Sequence, residues 1–239
     1  MINILLTGAS RGIGAAIVTA LDLPGVSLVG HATTSVSANT IAADFADPAS
    51  PQAVWAAALE RLGGTIDVLV NNAGVFEANP LGDDAWVAAW ERTMRINLTA
   101  SAELCRLAVL HWQARGVAEG FKGGRIVNVA SRAAYRGDSP AHWHYAAAKA
   151  GMVAMTKTIA RGYAHENILA FAVCPGFTMT GMAEEYLSSR GGGELLADIP
   201  LGRVADPAEI ATTVKFLALD APPSMTGAVL DVNGASYVR

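Results

Sequence analysis

The sequence predicts an α/β fold, a single Rossmann-type doubly wound parallel sheet of about seven strands with helices on both faces. Three observations point there. Short apolar runs alternate with longer helical segments along the whole chain. A glycine-rich turn joins the first run directly to the first helix. The length of 239 residues suits one α/β unit, so 1–239 is read as one domain without internal repeat, low-complexity tract or linker.

The elements follow in order. Ile2 to Leu6 is an apolar strand, followed by Thr7-Gly8-Ala9-Ser10-Arg11-Gly12-Ile13-Gly14 and an Ala/Ile/Val/Leu-rich helix to about Leu23. Strands are expected next at 26–30 and 40–43. A fourth at 66–70 runs into Asn71-Asn72-Ala73-Gly74. A fifth at 126–130 ends in Ser131, and a sixth at 168–173 precedes Pro175-Gly176. The last, at 228–232, closes on Asn233-Gly234.

Strand, glycine turn and helix form the context in which glycines let a backbone approach a pyrophosphate, whose charge is favoured at a helix N-terminus. Tyr145 and Lys149, one helical turn apart, share a helix face. A phenol has a pKa of about 10 and exchanges no useful proton at neutral pH. A neighbouring ammonium is expected to lower that value and make the tyrosine a general acid–base.

Composition excludes several classes. A net charge of −4 argues against a nucleic-acid partner, which would need a basic patch. No apolar run reaches the roughly 18 residues of a membrane span. The chain opens in a core strand, which leaves no room for a signal peptide. Cys105 and Cys174 cannot build a disulfide framework and read as buried thiols of a reducing cytoplasm. His142 and His144 lack companions at ligand spacing, so no metal site is expected.

Taken together, the glycine loop, Asn71-Asn72-Ala73-Gly74, Asn97, Ser131, Tyr145/Lys149 and Pro175-Gly176 resemble the short-chain dehydrogenase/reductase family over essentially the whole chain. The nearest likeness is to its 3-oxoacyl-carrier-protein reductases. The resemblance implies hydride transfer between a nicotinamide and a carbonyl or secondary alcohol. It makes Tyr145 the proton donor or acceptor, Ser131 a hydrogen-bond donor to the substrate oxygen, and Lys149 the group that tunes Tyr145 and holds ribose hydroxyls. Asn97 would hold a water linking Lys149 to solvent. The cofactor would lie on Gly8, Ser10, Arg11, Gly12, Ile13, Gly14, Thr33, Asp44, Phe45, Asn72, Ala73, Gly74, Pro175, Gly176, Thr178 and Thr180, besides Tyr145 and Lys149.

Thirteen residues lie between Ser131 and Tyr145, one more than those reductases usually carry, so the pocket wall beside Tyr145 should differ. No carboxylate ends the second strand at Gly30-His31-Ala32-Thr33, and Arg11 sits in the glycine loop. NADP(H) is therefore favoured over NAD(H). Asp44 follows Thr33 by only eleven residues, so the helix between strands two and three should be shortened or lost. Lys122 matches a basic carrier-docking position of the relatives, but Glu166 reverses the charge of the other. A free ketone or alcohol is thus favoured, with a carrier-linked substrate, or a dinucleotide-binding protein without catalysis, as alternatives. Residues 179–197 read as a substrate lid or as an ordinary amphipathic segment. Trp86 and Trp90 read as core or interface. The resemblance also implies a homotetramer, which the small residues Ala146, Ala147, Ala148, Ala150, Gly151 and Ala154 would suit.

Overall fold

The computed structural model describes residues 1–34, 38–116, 123–179 and 196–239. Seven strands form one parallel sheet: β1 (Ile2–Thr7), β2 (Val26–Ala32), β3 (Thr40–Ala42), β4 (Val68–Asn71), β5 (Gly124–Val129), β6 (Ile168–Pro175) and β7 (Val229–Val232). Their spatial order is β3-β2-β1-β4-β5-β6-β7. The order reverses between β1 and β4, and the crevice beyond the carboxyl ends there is where open α/β sheets bind ligands.

Helices α1 (Gly12–Ala20), α2 (Ser50–Arg61), α3 (Trp86–Met94), α4 (Ala100–Arg115), α5 (Ala133–Arg136), α6 (Trp143–Tyr163) and α7 (Pro207–Lys215) complete the described core. Period-two alternation assigns side chains to the two faces. Ile4, Leu6, Val68, Val70, Val127 and Phe171 meet Ile17 of α1 and Ile210 and Val214 of α7. Leu5, Leu69, Ile126 and Ala170 meet Trp55, Leu104, Trp112 and Ile159 on the other side. Strands buried on both faces read as continuous apolar runs, which is why they were visible in the sequence.

Several strand ends move by one or two residues from the expected ones, for local reasons. Ile66 is buried but stands outside β4, because its carbonyl accepts from the Trp112 indole (2.7 Å) and from Arg115 (3.1 Å). β5 begins earlier, at Gly124, since only a residue without Cβ admits the Trp112 ring against the strand there. β6 runs on to Pro175, whose carbonyl accepts the Arg132 N–H at 2.9 Å.

Only seven residues join β2 to β3, which run parallel with Gly30 beside Thr40 and Ala32 beside Ala42. A parallel crossover normally takes a dozen residues or more. Here the chain returns over three paired residues only, so a turn suffices and no helix intervenes among the described residues.

Candidate active site

The ends of strands β1 to β6 feed the site. Past β1, the loop Gly8–Arg11 turns into α1 with Gly8 at φ +68°. A Cβ on Gly14 would run into the Gly8 carbonyl, so the loop folds back tightly on the first helical turn. Arg11 is the N-cap but caps no N–H with its side chain, and no acidic residue sits in the first turn. The first-turn donors of α1 are thus left for an anion, which is the property a pyrophosphate requires. Ser10 and Arg11 are exposed beside them, and Gly12 and Ile13 are half-buried.

Past β4, Asn72 braces that loop. Its amide donates to the carbonyls of Thr7 (3.2 Å) and Gly8 (2.9 Å). Ala73 follows with its N–H on the Thr7 hydroxyl, and Gly74 lies exposed beyond it. Past β2, Thr33 is exposed at the strand end, as is Asp44 past β3. Phe45, expected at the adenine, instead turns its ring inward, 4% exposed and stacked on His31 at 4.0 Å. Past β6, Gly176 donates its N–H to Val232, and the Thr178 hydroxyl donates to the Gly176 carbonyl at 3.2 Å. Thr180 and Lys122 lie outside the described residues, as does most of the segment 179–197 expected as a lid. Met179 and Leu196 pack against Ile199 and Val204.

The structure brings Ser131, Tyr145 and Lys149 together. Ser131 follows β5 and accepts the Ala133 N–H at 3.1 Å, and its hydroxyl is near enough to the Tyr145 phenol to lower the pKa of that group. Its hydroxyl therefore both starts α5 and lies near the phenol. Tyr145 and Lys149 stand on α6, with the Lys149 ammonium nitrogen 5.8 Å from the Tyr145 ring centre. That ammonium donates to the Val129 carbonyl at 2.8 Å. Asn97 lies in a π-helical turn (Arg95–Thr99), a feature frequent at functional sites. Its amide holds the Val75 backbone at both ends, each contact 2.8 Å. A Cβ on Gly74 would stand 3.3 Å from the Asn97 oxygen and 3.7 Å from the Lys149 nitrogen, so only that glycine lies between them.

Known proteins of similar sequence and fold share this arrangement's frame. A family model described as Enoyl-(Acyl carrier protein) reductase matches residues 8–235. The 3-oxoacyl-(acyl-carrier-protein) reductase FabG of Vibrio cholerae serotype O1 is 38% identical over 245 residues, with 98% of this chain and 96% of the relative covered. The enzyme of the same name from Pseudomonas aeruginosa is 37% identical over 251 residues, with 98% and 96% covered. The chain belongs to the short-chain dehydrogenase/reductase family. Members are NAD(P)-dependent oxidoreductases acting on an alcohol/carbonyl pair. A solved structure of a blue fluorescent protein from a metagenomic library, in complex with NADPH, superposes with a TM-score of 0.86 at 35% identity. It covers 99% of this chain and 98% of its own.

Burial pushes the Tyr145 phenol up to about 12, and the nearby Ser131 hydroxyl offsets this in part. Lys149 itself, 4% exposed, is lowered by the same desolvation to about 8. Its nearest partner is a neutral carbonyl rather than the phenol, so desolvation of both groups outweighs their mutual attraction. Cys174, wholly buried nearby, is pushed up to about 11 and stays a thiol.

Sequence reasoning missed His31. It is 3% exposed at the end of β2, accepts the Gly8 N–H at its Nδ1 (3.4 Å) and donates from Nε2 to the Ala43 carbonyl (3.0 Å). It therefore ties the glycine loop to the end of β3. A polar residue inside an otherwise apolar strand was the available signal. Arg132 was missed as well: it and Arg136 both pair with Asp198, at 3.3 and 2.5 Å. They fasten the chain beyond the lid segment to the loop after Ser131. Glu166, opposite in charge to the relatives' docking residue, accepts from Gln113 at 3.2 Å on the surface. No group of three or more His, Cys, Asp or Glu suited to a metal lies among the described residues.

Burial lowers the pKa of His31, His111, His142 and His144 below the ordinary 6.5. Each is held neutral when folded, so the unfolded chain binds more protons just below that pH. Stability should be fully present above about pH 6.5 and decline as the pH falls through the lowered folded values. Thermal melts at pH 7.5 and 5.5 measure this; an equal or higher melting temperature at pH 5.5 would contradict it.

Proposed function

We propose that the protein is an NADPH-dependent ketone reductase, a single catalytic domain in which Tyr145 gives the proton. The observation that carries this reading is the gathering of Ser131, Tyr145 and Lys149 at the carboxyl end of the sheet, with the Lys149 ammonium 5.8 Å from the Tyr145 ring centre and held on the Val129 carbonyl. NADPH, when bound, supplies the hydride. The chain's own residues do the rest. Ser131 donates to the carbonyl oxygen and stabilises the charge that develops there. Tyr145, protonated at neutral pH, transfers its proton to that oxygen as the alkoxide forms. Lys149 holds the ribose hydroxyls, and Asn97 fixes the Val75 backbone beside it.

For the cofactor, the Gly8–Gly14 loop and the first turn of α1 would take the pyrophosphate, with Asn72, Ala73, Gly74, Pro175, Gly176 and Thr178 beside them. Arg11 and Thr33 would take the 2′-phosphate, unopposed by a carboxylate at the end of β2. A second reading, reduction of a 3-oxoacyl chain on a carrier protein, is favoured by the FabG relatives. Rates with a free ketone against its carrier-linked counterpart separate the two. Two buried free thiols, Cys105 and Cys174, suit a reducing cytoplasm. No helix of the described residues is long and apolar enough to cross a membrane.

Assembly as a homotetramer is supported by α6, whose small residues Ala147 and Ala154 are exposed one above the other, and by exposed Leu110 on α4. Light scattering should give about four times the 24.7 kDa of one chain. A fully active monomer would refute this.

Tyr145→Phe should lower turnover by about a hundredfold or more, since only the ionisable oxygen is lost. NADPH binding, followed by its fluorescence, should persist. Retention of most of the wild-type rate would remove Tyr145 from its role. NADPH should also give a higher kcat/KM than NADH, and Arg11→Ala should narrow that gap by about 1.5–3 kcal/mol, the value of a hydrogen bond to a charged group. Equal efficiency with both cofactors in the wild type would defeat the assignment.

A further inference from the structure

The wall beside Tyr145 is flat and aromatic. Phe76 and His142 stack with ring centres 4.0 Å apart and planes only 5° from parallel. Phe76 also meets the Tyr145 ring edge-to-face, at 4.8 Å and 82°. The platform is held from both sides. The His142 Nδ1 shares a hydrogen bond of 2.6 Å with the Ser139 hydroxyl, and the Asn79 N–H donates to the Ala141 carbonyl at 2.8 Å. Burial keeps His142 neutral, so the platform carries no charge at neutral pH. Phe76 nevertheless remains 39% exposed, an unusual state for a phenylalanine placed next to a reacting hydroxyl.

Position sets what this surface can touch. A carbonyl on the Ser131 and Tyr145 hydroxyls puts its two substituents within a bond length or two of the Tyr145 ring. Phe76, in edge contact with that ring and partly exposed, is the aromatic surface offered to the nearer substituent. A planar ring attached directly to the carbonyl carbon can lie along such a surface, offset-stacked or edge-on, and gains more there than its area alone gives. A flexible alkyl chain gains only the area term and loses rotamer freedom. His142 falls in the segment made longer by the extra residue between Ser131 and Tyr145, so the platform arises where the chain departs from its relatives.

We infer that Phe76 and His142 select the substrate, and that the preferred class is ketones bearing an aromatic ring on the carbonyl carbon. This rests on the ketone-reductase reading above and narrows it.

The test compares acetophenone with 2-octanone, ketones of equal carbon count, under NADPH. The wild type should give a higher kcat/KM with acetophenone. Phe76→Leu, which keeps apolar volume but removes the ring, should lower the acetophenone-to-octanone ratio about three- to tenfold. His142→Leu should lower it in the same sense, whereas His142→Phe, which keeps two stacked rings, should restore it. A wild-type ratio at or below one, or a ratio unchanged in Phe76→Leu, overturns the inference. Calorimetric binding of the same two ketones to the NADPH-loaded protein needs no turnover. If neither ketone is reduced but acetophenone still binds more tightly in a Phe76-dependent way, the reductase reading fails and the platform stands. If both are reduced and bound without preference, the platform fails and the reductase stands.

Discussion

Where β1 and β4 end side by side, their ladder stops at Leu6 and Val70, and a threonine hydroxyl and an asparagine amide take over. The Thr7 hydroxyl, fully buried, donates to the Val70 carbonyl and accepts the N–H groups of Asn72 and Ala73, each at 3.0 Å. Asn72 answers by donating to Thr7 and Gly8. The strands can therefore part at the point where the sheet order reverses without leaving buried donors unpaired, each of which would cost about 1–3 kcal/mol. Everything functional hangs from this junction. On one side it fixes Gly8 and the entry to α1; on the other it aims Asn72-Ala73-Gly74 toward Asn97 and Lys149.

The proton-transfer residues obey a second constraint, burial. Lys149 lies on the face of α6 that also buries Ala148, Met152 and Val153, so its ammonium reaches the site through the core rather than along the surface. Its bond to Val129 joins α6 to β5 two residues before Ser131. The same contact that positions the serine thus removes the lysine from water. Desolvation then favours the uncharged form of both titrating groups.

Much of this was legible in the sequence, and the rest was not for definite reasons. The sheet was legible because its strands are buried on both faces and read as apolar runs. The Tyr145/Lys149 pair was legible from helical spacing, and Ser131 beside it from the family resemblance. Strand limits at Ile66 and Gly124 were not, since both depend on Trp112, more than ten residues away in sequence. Spacing gave the closeness of Tyr145 and Lys149 but not the apolar volume around both. His31 and Phe76 owe their importance to partners on other elements, Gly8 and Ala43 for one and His142 and Tyr145 for the other.

Two of the connections expected to differ in length from the family pattern, those between β2 and β3 and between Ser131 and Tyr145, leave the described sheet intact. Between β2 and β3 the loss of a helix is accommodated because the ladder Gly30–Ala32 with Thr40–Ala42 needs only a short return. Between Ser131 and Tyr145 the added residue is taken up across α5, a bend at Gly137 with φ +77°, and the turn from Ser139 to His142. Lengthening a loop costs little, whereas shifting a buried strand by one residue moves every side chain to the wrong face. Variation is therefore channelled away from the strand ends that carry Ser131 and into what surrounds them. At the β2 end His31 stacks on Phe45. At the α6 end His142 stacks on Phe76. The reacting centre and its selectivity are thus separable in this fold: the first is bound to strand ends that cannot slip, the second to loops that can.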